Sequence, residues 1–196
     1  LTIGLNPVDL SINYFEGRLY IASWGETWTY VVDLNSQTLL PSLNLGTDIY
    51  KVNAGAAGKI VTEGENQWIA VNLVNTADGT IAGSFPYPER EGDGECDPSG
   101  NYYYHCDNNI SDAYLHKFVV TNNSPVEIAG SPQHPYGTRN LVMSADGSRL
   151  FWNSYIYDTN LTEYGTLGTE IYSCSTNGSV AFGSNQAFDT TTRQAI

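Results

Sequence analysis

A strand–turn–strand phrase headed by a turn glycine returns five times in this 196-residue chain, and nothing else in the sequence constrains the fold as much. Its cleanest copy is Leu141–Asp158. There Val142-Met143 leads into Ser144-Ala145-Asp146-Gly147, and Leu150-Phe151-Trp152 and Tyr155-Ile156-Tyr157 follow. β-Branched and aromatic runs bounded by Gly, Asp, Asn and Ser are strand signals, and a turn glycine takes positive φ without a Cβ clash. Gly17, Gly58, Gly100, Gly147 and Gly178 head equivalent return strands at spacings of 41, 42, 47 and 31 residues.

A second landmark follows each glycine: Val31-Val32-Asp33, Ala70-Val71-Asn72, Phe118-Val119-Val120, Ile156-Tyr157-Asp158 and Ala187-Phe188-Asp189. After a turn rich in Thr, Asn and Ser comes a short fourth strand, at Leu39-Leu40, Thr80-Ile81-Ala82, Val126-Glu127-Ile128 and Thr162-Glu163-Tyr164. Four short strands in about 40 residues is the blade length of a β-propeller, in which no blade can bury both faces alone. No segment keeps a 3.6-residue period over ten residues, which excludes a helical solenoid. The sequence therefore predicts an all-β domain of about five four-stranded blades, at roughly 6–46, 47–88, 89–137, 138–168 and 169–196. The fifth blade shows no obvious fourth strand. Residues 1–5 are expected to complete it and close the ring; the alternative is that the chain is part of a larger ring, since it opens on Leu1 with no Met.

The residues carry a family resemblance. Ser144-Ala145-Asp146-Gly147-Ser148-Arg149-Leu150 resembles the S-x-D-G-x-x-L turn of WD-repeat-like propellers. Val31-Val32-Asp33 with Thr38, and Ala187-Phe188-Asp189 with Thr192, resemble the Y-V-x-D-x-x-T phrase of YVTN-type repeats. Such repeats occur in surface-layer, lactonase-like and quinoprotein-like propellers. Blade three departs from the pattern, because Phe118-Val119-Val120-Thr121 lacks the Asp. The resemblance implies a propeller and leaves the activity open, because unrelated functions sit on this fold.

Charge narrows the partners. Eight Lys and Arg against 21 Asp and Glu give a net charge of −13. That argues against nucleic acid, which needs basic stripes to meet phosphates, and against docking on anionic lipid. No run of 18 apolar residues exists, so membrane insertion is not expected. Fourteen Tyr and 19 Gly with few Lys suit an extracellular or cell-surface β-protein. Sequons at Asn109, Asn160 and Asn177 are candidate glycosylation sites; a fourth, at Asn122, is disfavoured by Pro125.

Chemistry is sought where the copies disagree. Carboxylates alternate at Glu89, Glu91, Asp93, Glu95 and Asp97, and an extended chain would put all five on one face. Asp93, Glu95 and Asp97 also match the first three ligand positions of a calcium loop, with calcium as the implied cofactor. The match breaks at Pro98, and a solvated acidic channel mouth is the alternative reading. His105 and His116 are spaced as a cross-strand pair, with His134 on a distant link. Of three cysteines, Cys96 and Cys174 stand four residues before their turn glycines, as do Met143 and Ala54, which favours packing positions between blades. A Cys96–Cys106 disulfide is the other option, at odds with that register. Trp24 and Trp28 flank a Gly-Glu-Thr loop and are candidates for contact with a sugar or a protein.

The leading functional expectation is a non-catalytic structural or recognition module of an extracellular or cell-surface assembly, with other protein subunits or surface glycans as partners. Two alternatives stand beside it. One is a lactonase-like or quinoprotein-like enzyme with a channel metal, as the resemblance implies. The other is a carbohydrate-binding propeller that uses Trp24 and Trp28.

Overall fold

The computed structural model describes residues 3–66, 68–86, 91–108 and 111–196. Their strands form five four-stranded antiparallel sheets, each running in chain order. Sheet 1 holds β1 (Pro7–Asn13), β2 (Arg18–Ser23), β3 (Trp28–Asp33) and β4 (Thr38–Asn44). Sheet 2 holds β5 (Lys51–Ala54), β6 (Lys59–Glu63), β7 (Asn72–Asn75) and β8 (Ile81–Ser84). Sheet 3 holds β9 (Asp93–Cys96), β10 (Tyr102–Cys106), β11 (Leu115–Val119) and β12 (Val126–Gly130). Sheet 4 holds β13 (Leu141–Met143), β14 (Leu150–Trp152), β15 (Tyr155–Tyr157) and β16 (Glu163–Thr166). Sheet 5 holds β17 (Ser173–Cys174), β18 (Val180–Phe182), β19 (Ala187–Asp189) and β20 (Gln194–Ala195).

The repeated aspartates build the turns that return the chain to its fourth strands. Asp33 Oδ1 accepts hydrogen bonds from the amides of Asn35 and Ser36 and from the Ser36 hydroxyl. Asp189 Oδ1 does the same for Thr191 and Thr192, and Asp158 Oδ1 for Asn160 and Thr162. Backbone donors of this kind favour the ionised form, and the carboxyls of Asp33 and Asp189 lie below their ordinary value for that reason. An Asp at this position therefore acts as a turn former, a local alternative to ladder pairing.

Two strand positions differ from the sequence expectation. In sheet 2 the third strand is Asn72–Asn75, not Ala70-Val71-Asn72: the ladder pairs Ile60 with Val74 and Val61 with Leu73, while Val71 is buried just before the strand. Thr76-Ala77-Asp78-Gly79 then supplies the turn, with Asp78 Oδ1 accepting from the Thr80 amide and hydroxyl. In sheet 5 the fourth strand is Gln194–Ala195, paired with Phe188 and Asp189. Leu5 is 86 % exposed, and the chain at 5–6 instead crosses the end of sheet 1. There the Asn6 amide donates to Ser23 Oγ and the Trp24 amide to the Asn6 carbonyl.

The chain groups into two compact units. One comprises residues 1–91, 99–102 and 119–126; the other comprises 92–98, 103–118 and 127–196. Within the first, Tyr20, Ala22, Val31 and Leu43 of sheet 1 pack on Val52, Ile60 and Val74 of sheet 2. Within the second, Phe151 and Ile156 of sheet 4 pack on Ala181 and Phe188 of sheet 5, with Cys174 against them. Polar groups pin successive first strands together. Asp9 Oδ2 accepts from the Val52 amide at 2.9 Å and Ser11 Oγ from the Ala54 amide at 2.9 Å. Asp93 Oδ2 accepts from the Leu141 amide at 3.3 Å.

Phe151 is fully buried between sheets 4 and 5. Replacing it by Ala is expected to cost about 3–5 kcal/mol, whereas Val126→Ala on an exposed edge should stay within about 0.5 kcal/mol. Urea unfolding of the two variants measures both values.

Candidate recognition surface

The acidic run does not form one carboxylate face. The first strand of sheet 3 spans only Asp93–Cys96, and Glu91 lies outside it at φ 52°. Asp93 and Glu95 therefore share a face, Asp97 follows the strand, and Glu89 lies outside the described residues. Asp93 is buried and bonds to the Leu141 amide, a structural use that its place in the acidic run does not reveal. Asp9 holds the same position in sheet 1, so a paired Asp on first strands was the signal available in the sequence. Among the described residues no three His, Cys, Asp or Glu side chains are placed to hold a metal ion.

The cysteines are thiols. Register sets Cys96 opposite Tyr103 and Cys106 opposite Asp93, and no disulfide links them. Burial, reinforced by the nearby charges of Glu95 and Asp146, pushes the Cys174 thiol up to about 11, so it is inert near neutral pH.

The histidines divide into two places. His105 and His116 approach with ring centroids 6.5 Å apart. His116 Nδ1 lies 2.8 Å from Glu127 Oε1 and its Nε2 lies 3.3 Å from Asp107 Oδ2, so both ring nitrogens meet carboxylates. His134 is buried elsewhere. Its Nε2 is 2.7 Å from the Tyr157 hydroxyl and 3.6 Å from Glu163 Oε2, and its ring lies 4.1 Å from that of Tyr155. Burial lowers the His134 pKa and raises that of Tyr157. This reads as a satisfied core pair that anchors the long link to sheet 4. The sequence placed His134 far from the other two but did not reveal its Tyr157 partner.

The candidate glycosylation sites also differ. Asn160 is exposed in the turn after Asp158. The Asn177 side chain is committed to its own turn, since its Oδ1 accepts from the Ser179 amide and from the hydroxyls of Ser175 and Ser179. Asn109 lies outside the described residues.

The remaining feature is the face of sheet 1 turned away from sheet 2. Register places Leu10, Ile21 and Tyr30 in one row and Ile12, Leu19, Val32 and Leu39 in the next. Trp28 joins them two residues before Tyr30. All eight point away from sheet 2, since Tyr20, Ala22 and Val31 face it. The face turned to sheet 2 mixes Tyr20, Ala22 and Val31 with Asp9, Ser11 and Thr29, whereas the opposite face is mostly apolar. Leu10 is 65 % exposed, Trp28 42 % and Leu39 39 %. Trp24, 45 % exposed, stands at the end of the same sheet on the β2–β3 loop. Glu26 stiffens that loop: its Oε2 accepts from the Tyr30 hydroxyl at 2.8 Å and its Oε1 from the Leu5 amide at 3.2 Å.

A pH test separates the paired His116 from the apolar face. Burial alone would raise the pKa of Asp107, yet the hydrogen bond and charge of His116, the charge of His105 and the Tyr114 amide hold it below its ordinary value. Such a carboxylate adds stability above its unfolded value of about 3.9, and that contribution is lost as pH falls through the lower folded value. Asp107→Asn is expected to cost about 1–3 kcal/mol at pH 7, and its gap to the wild type should narrow as pH falls to 3. Urea midpoints at the two pH values measure this; a gap that is constant with pH contradicts the assignment.

No protein-family model matches the chain, and no curated protein matches it in sequence. Its fold does have counterparts. A chain in the crystal structure of a nidogen/laminin complex superposes with a TM-score of 0.69 at 13% identity, covering 97% of this chain and 78% of that one. Hydrazine synthase from Kuenenia stuttgartiensis superposes with a TM-score of 0.67 at 12% identity, covering 95% of this chain and 62% of that one. At these identities the likeness concerns the fold alone, and the five four-stranded antiparallel sheets are those of a β-propeller.

Proposed function

We propose that the chain is a non-catalytic recognition module of an extracellular or cell-surface assembly. The observation that supports this reading best is the set of exposed apolar residues Leu10, Leu39 and Trp28 on one face of sheet 1, with Trp24 beside it. Apolar surface of this kind, rimmed by polar loops, marks interaction sites. Aromatic anchors dominate binding energy when a partner desolvates them. The net charge of −13 keeps the rest of the surface away from anionic partners and adds long-range preference for basic ones. A chain of the nidogen/laminin complex shares the fold, which is consistent with a propeller used in a protein–protein assembly.

Surface glycans are the second class of partner, and Trp24 and Trp28 are the residues that would stack on sugar rings. Protein and glycan partners separate in one experiment. Immobilised chain is probed against a glycan array and against extracellular protein fractions, with Trp28→Ala and Trp24→Ala alongside. Retention of a partner that falls about tenfold or more with Trp28→Ala, at unchanged melting temperature, is the expected result. Binding to neither class, or binding indifferent to both substitutions, removes the reading. A channel metal enzyme predicts instead that EDTA lowers the melting temperature and added calcium restores it.

A further inference from the structure

Residues 131–140 link sheet 3 to sheet 4, and Pro132 and Pro135 within them have no amide to donate. The link is tied at both ends. The Ser131 amide donates to the Leu115 carbonyl. At the far end the Trp152 indole donates to the Thr138 carbonyl, Arg139 Nε to the Gly92 carbonyl and Asn140 Nδ2 to the Ile171 carbonyl. Between those ends, among the described residues, the backbone pairs only at His134, whose amide and carbonyl bond to those of Ala113 at 2.9 and 3.0 Å. The His134 side chain is buried in a box of Trp152, Tyr155 and Tyr157, with ring centroids 5.4, 4.1 and 6.2 Å away. Its Nε2 meets two groups of opposite character. One is the Tyr157 hydroxyl at 2.7 Å; Tyr157 is fully buried, and among the described residues Nε2 is the only acceptor for its hydrogen. The ring is therefore neutral, with Nε2 as acceptor. The other is Glu163 Oε2 at 3.6 Å, which receives a hydrogen from this nitrogen only when the ring takes up a second proton.

We propose that His134 is an acid-operated pin on this link. Neutral, it accepts the Tyr157 hydrogen and holds the middle of the link on β15. Protonated, it gives up that bond, donates to Glu163 on β16 and loosens the pairing with Ala113. The two arrangements share one nitrogen and cannot coexist, which makes the pin two-state. Glu163, Tyr155 and Tyr157 are the titratable groups that face the ring, and the Trp152 ring and the Ala113 backbone complete its surroundings. Burial outweighs the attraction of Glu163 and lowers the His134 pKa. A base held below its unfolded value of about 6.5 adds stability that is complete above that value and is lost as pH falls from it toward the folded value. The pin therefore acts at milder acidity than Asp107, whose contribution is lost only below the ordinary carboxylate value. It goes beyond the recognition reading and needs no partner.

The test follows the whole chain by NMR from about pH 8 to about 4.5. The chain has three histidines, so each Cε1–H signal can be tracked singly. Hydrogen exchange of the Ala113 and His134 amides, corrected for the intrinsic rate, is measured over the same range. His134 should titrate below about 6.5, and the two amides should lose at least about tenfold in protection through that step. His134→Gln keeps a neutral acceptor for Tyr157 and takes up no proton, so its protection should stay flat across the step. Glu163→Gln removes the carboxylate that the charged ring turns to, so the step should move to lower pH. A His134 that titrates at or above about 6.5 overturns the proposal, as does protection that is unchanged through its titration. So does a step that survives in His134→Gln or keeps its midpoint in Glu163→Gln. If His134→Gln does not fold, the wild-type titration and Glu163→Gln decide the matter.

Discussion

The face-to-face stacking of short-stranded sheets is the constraint on which this structure rests. A four-stranded antiparallel sheet of short strands cannot bury a useful area alone. Placing Tyr20 and Val31 against Val52 and Ile60, or Phe151 against Phe188, buries one face of each partner and leaves the other in need of cover. The hydrophobic gain does not fix register, because aliphatic faces slide. Hydrogen bonds from side chains to backbone supply that selectivity. Asp9 and Ser11 each accept an amide from the first strand of the next sheet 43 residues on, and Asp93 accepts one 48 residues on. A one-residue slip would leave those amides and a buried carboxylate unpaired, at a cost of about 1–3 kcal/mol for each group.

The same economy of polar groups explains the chain's composition. Asp33, Asp146, Asp158 and Asp189 stand at turns, and each gathers backbone amides. A good part of the acidity is thus turn chemistry and not a binding charge. That point decides how the run around Asp93 is understood. Its alternation in sequence looks like a designed anionic face, yet Glu91 turns into positive φ and Asp93 turns inward to pin sheet 4. Charge that looks functional in one dimension is divided in three between turns, a buried cap and the solvent.

How much could be seen beforehand follows from the range of each interaction. The repeated turn glycine and the Asp-Thr phrase are local, and they carried the five four-stranded units. Strand placement failed where two apolar stretches competed. Val71 and the Leu73-Val74 pair both suit a strand and both are buried, and only the ladder pairing with Ile60 and Val61 selects Asn72–Asn75. The fourth strand of sheet 5 escaped notice because Gln194-Ala195 is two residues long and polar at one position. Trp28 was legible as an exposed aromatic. Its membership in a face with Leu10, 18 residues earlier, was not, because that depends on the pairing of both strands with β2. His134 and Tyr157 meet across 23 residues with no local signature at all.

A propeller sheet gains its stability from its neighbours, and sheet 1 packs on sheet 2 with one of its two faces. The opposite face of sheet 1 is mostly apolar, down to aliphatic residues in the second and third strands that ordinary surface sheets replace with Thr, Lys or Glu. Ile21 and Val32 on this face are already only 3 % and 7 % exposed. The cost of exposure therefore falls on the outer ring, on Leu10, Trp28 and Leu39, and not on the centre. Such a surface can persist in water while a partner is absent and still gain from covering three large side chains when one arrives. A face that is stable when open and favourable when closed is what reversible recognition requires, and it is built here from the same alternation of residues that builds the core.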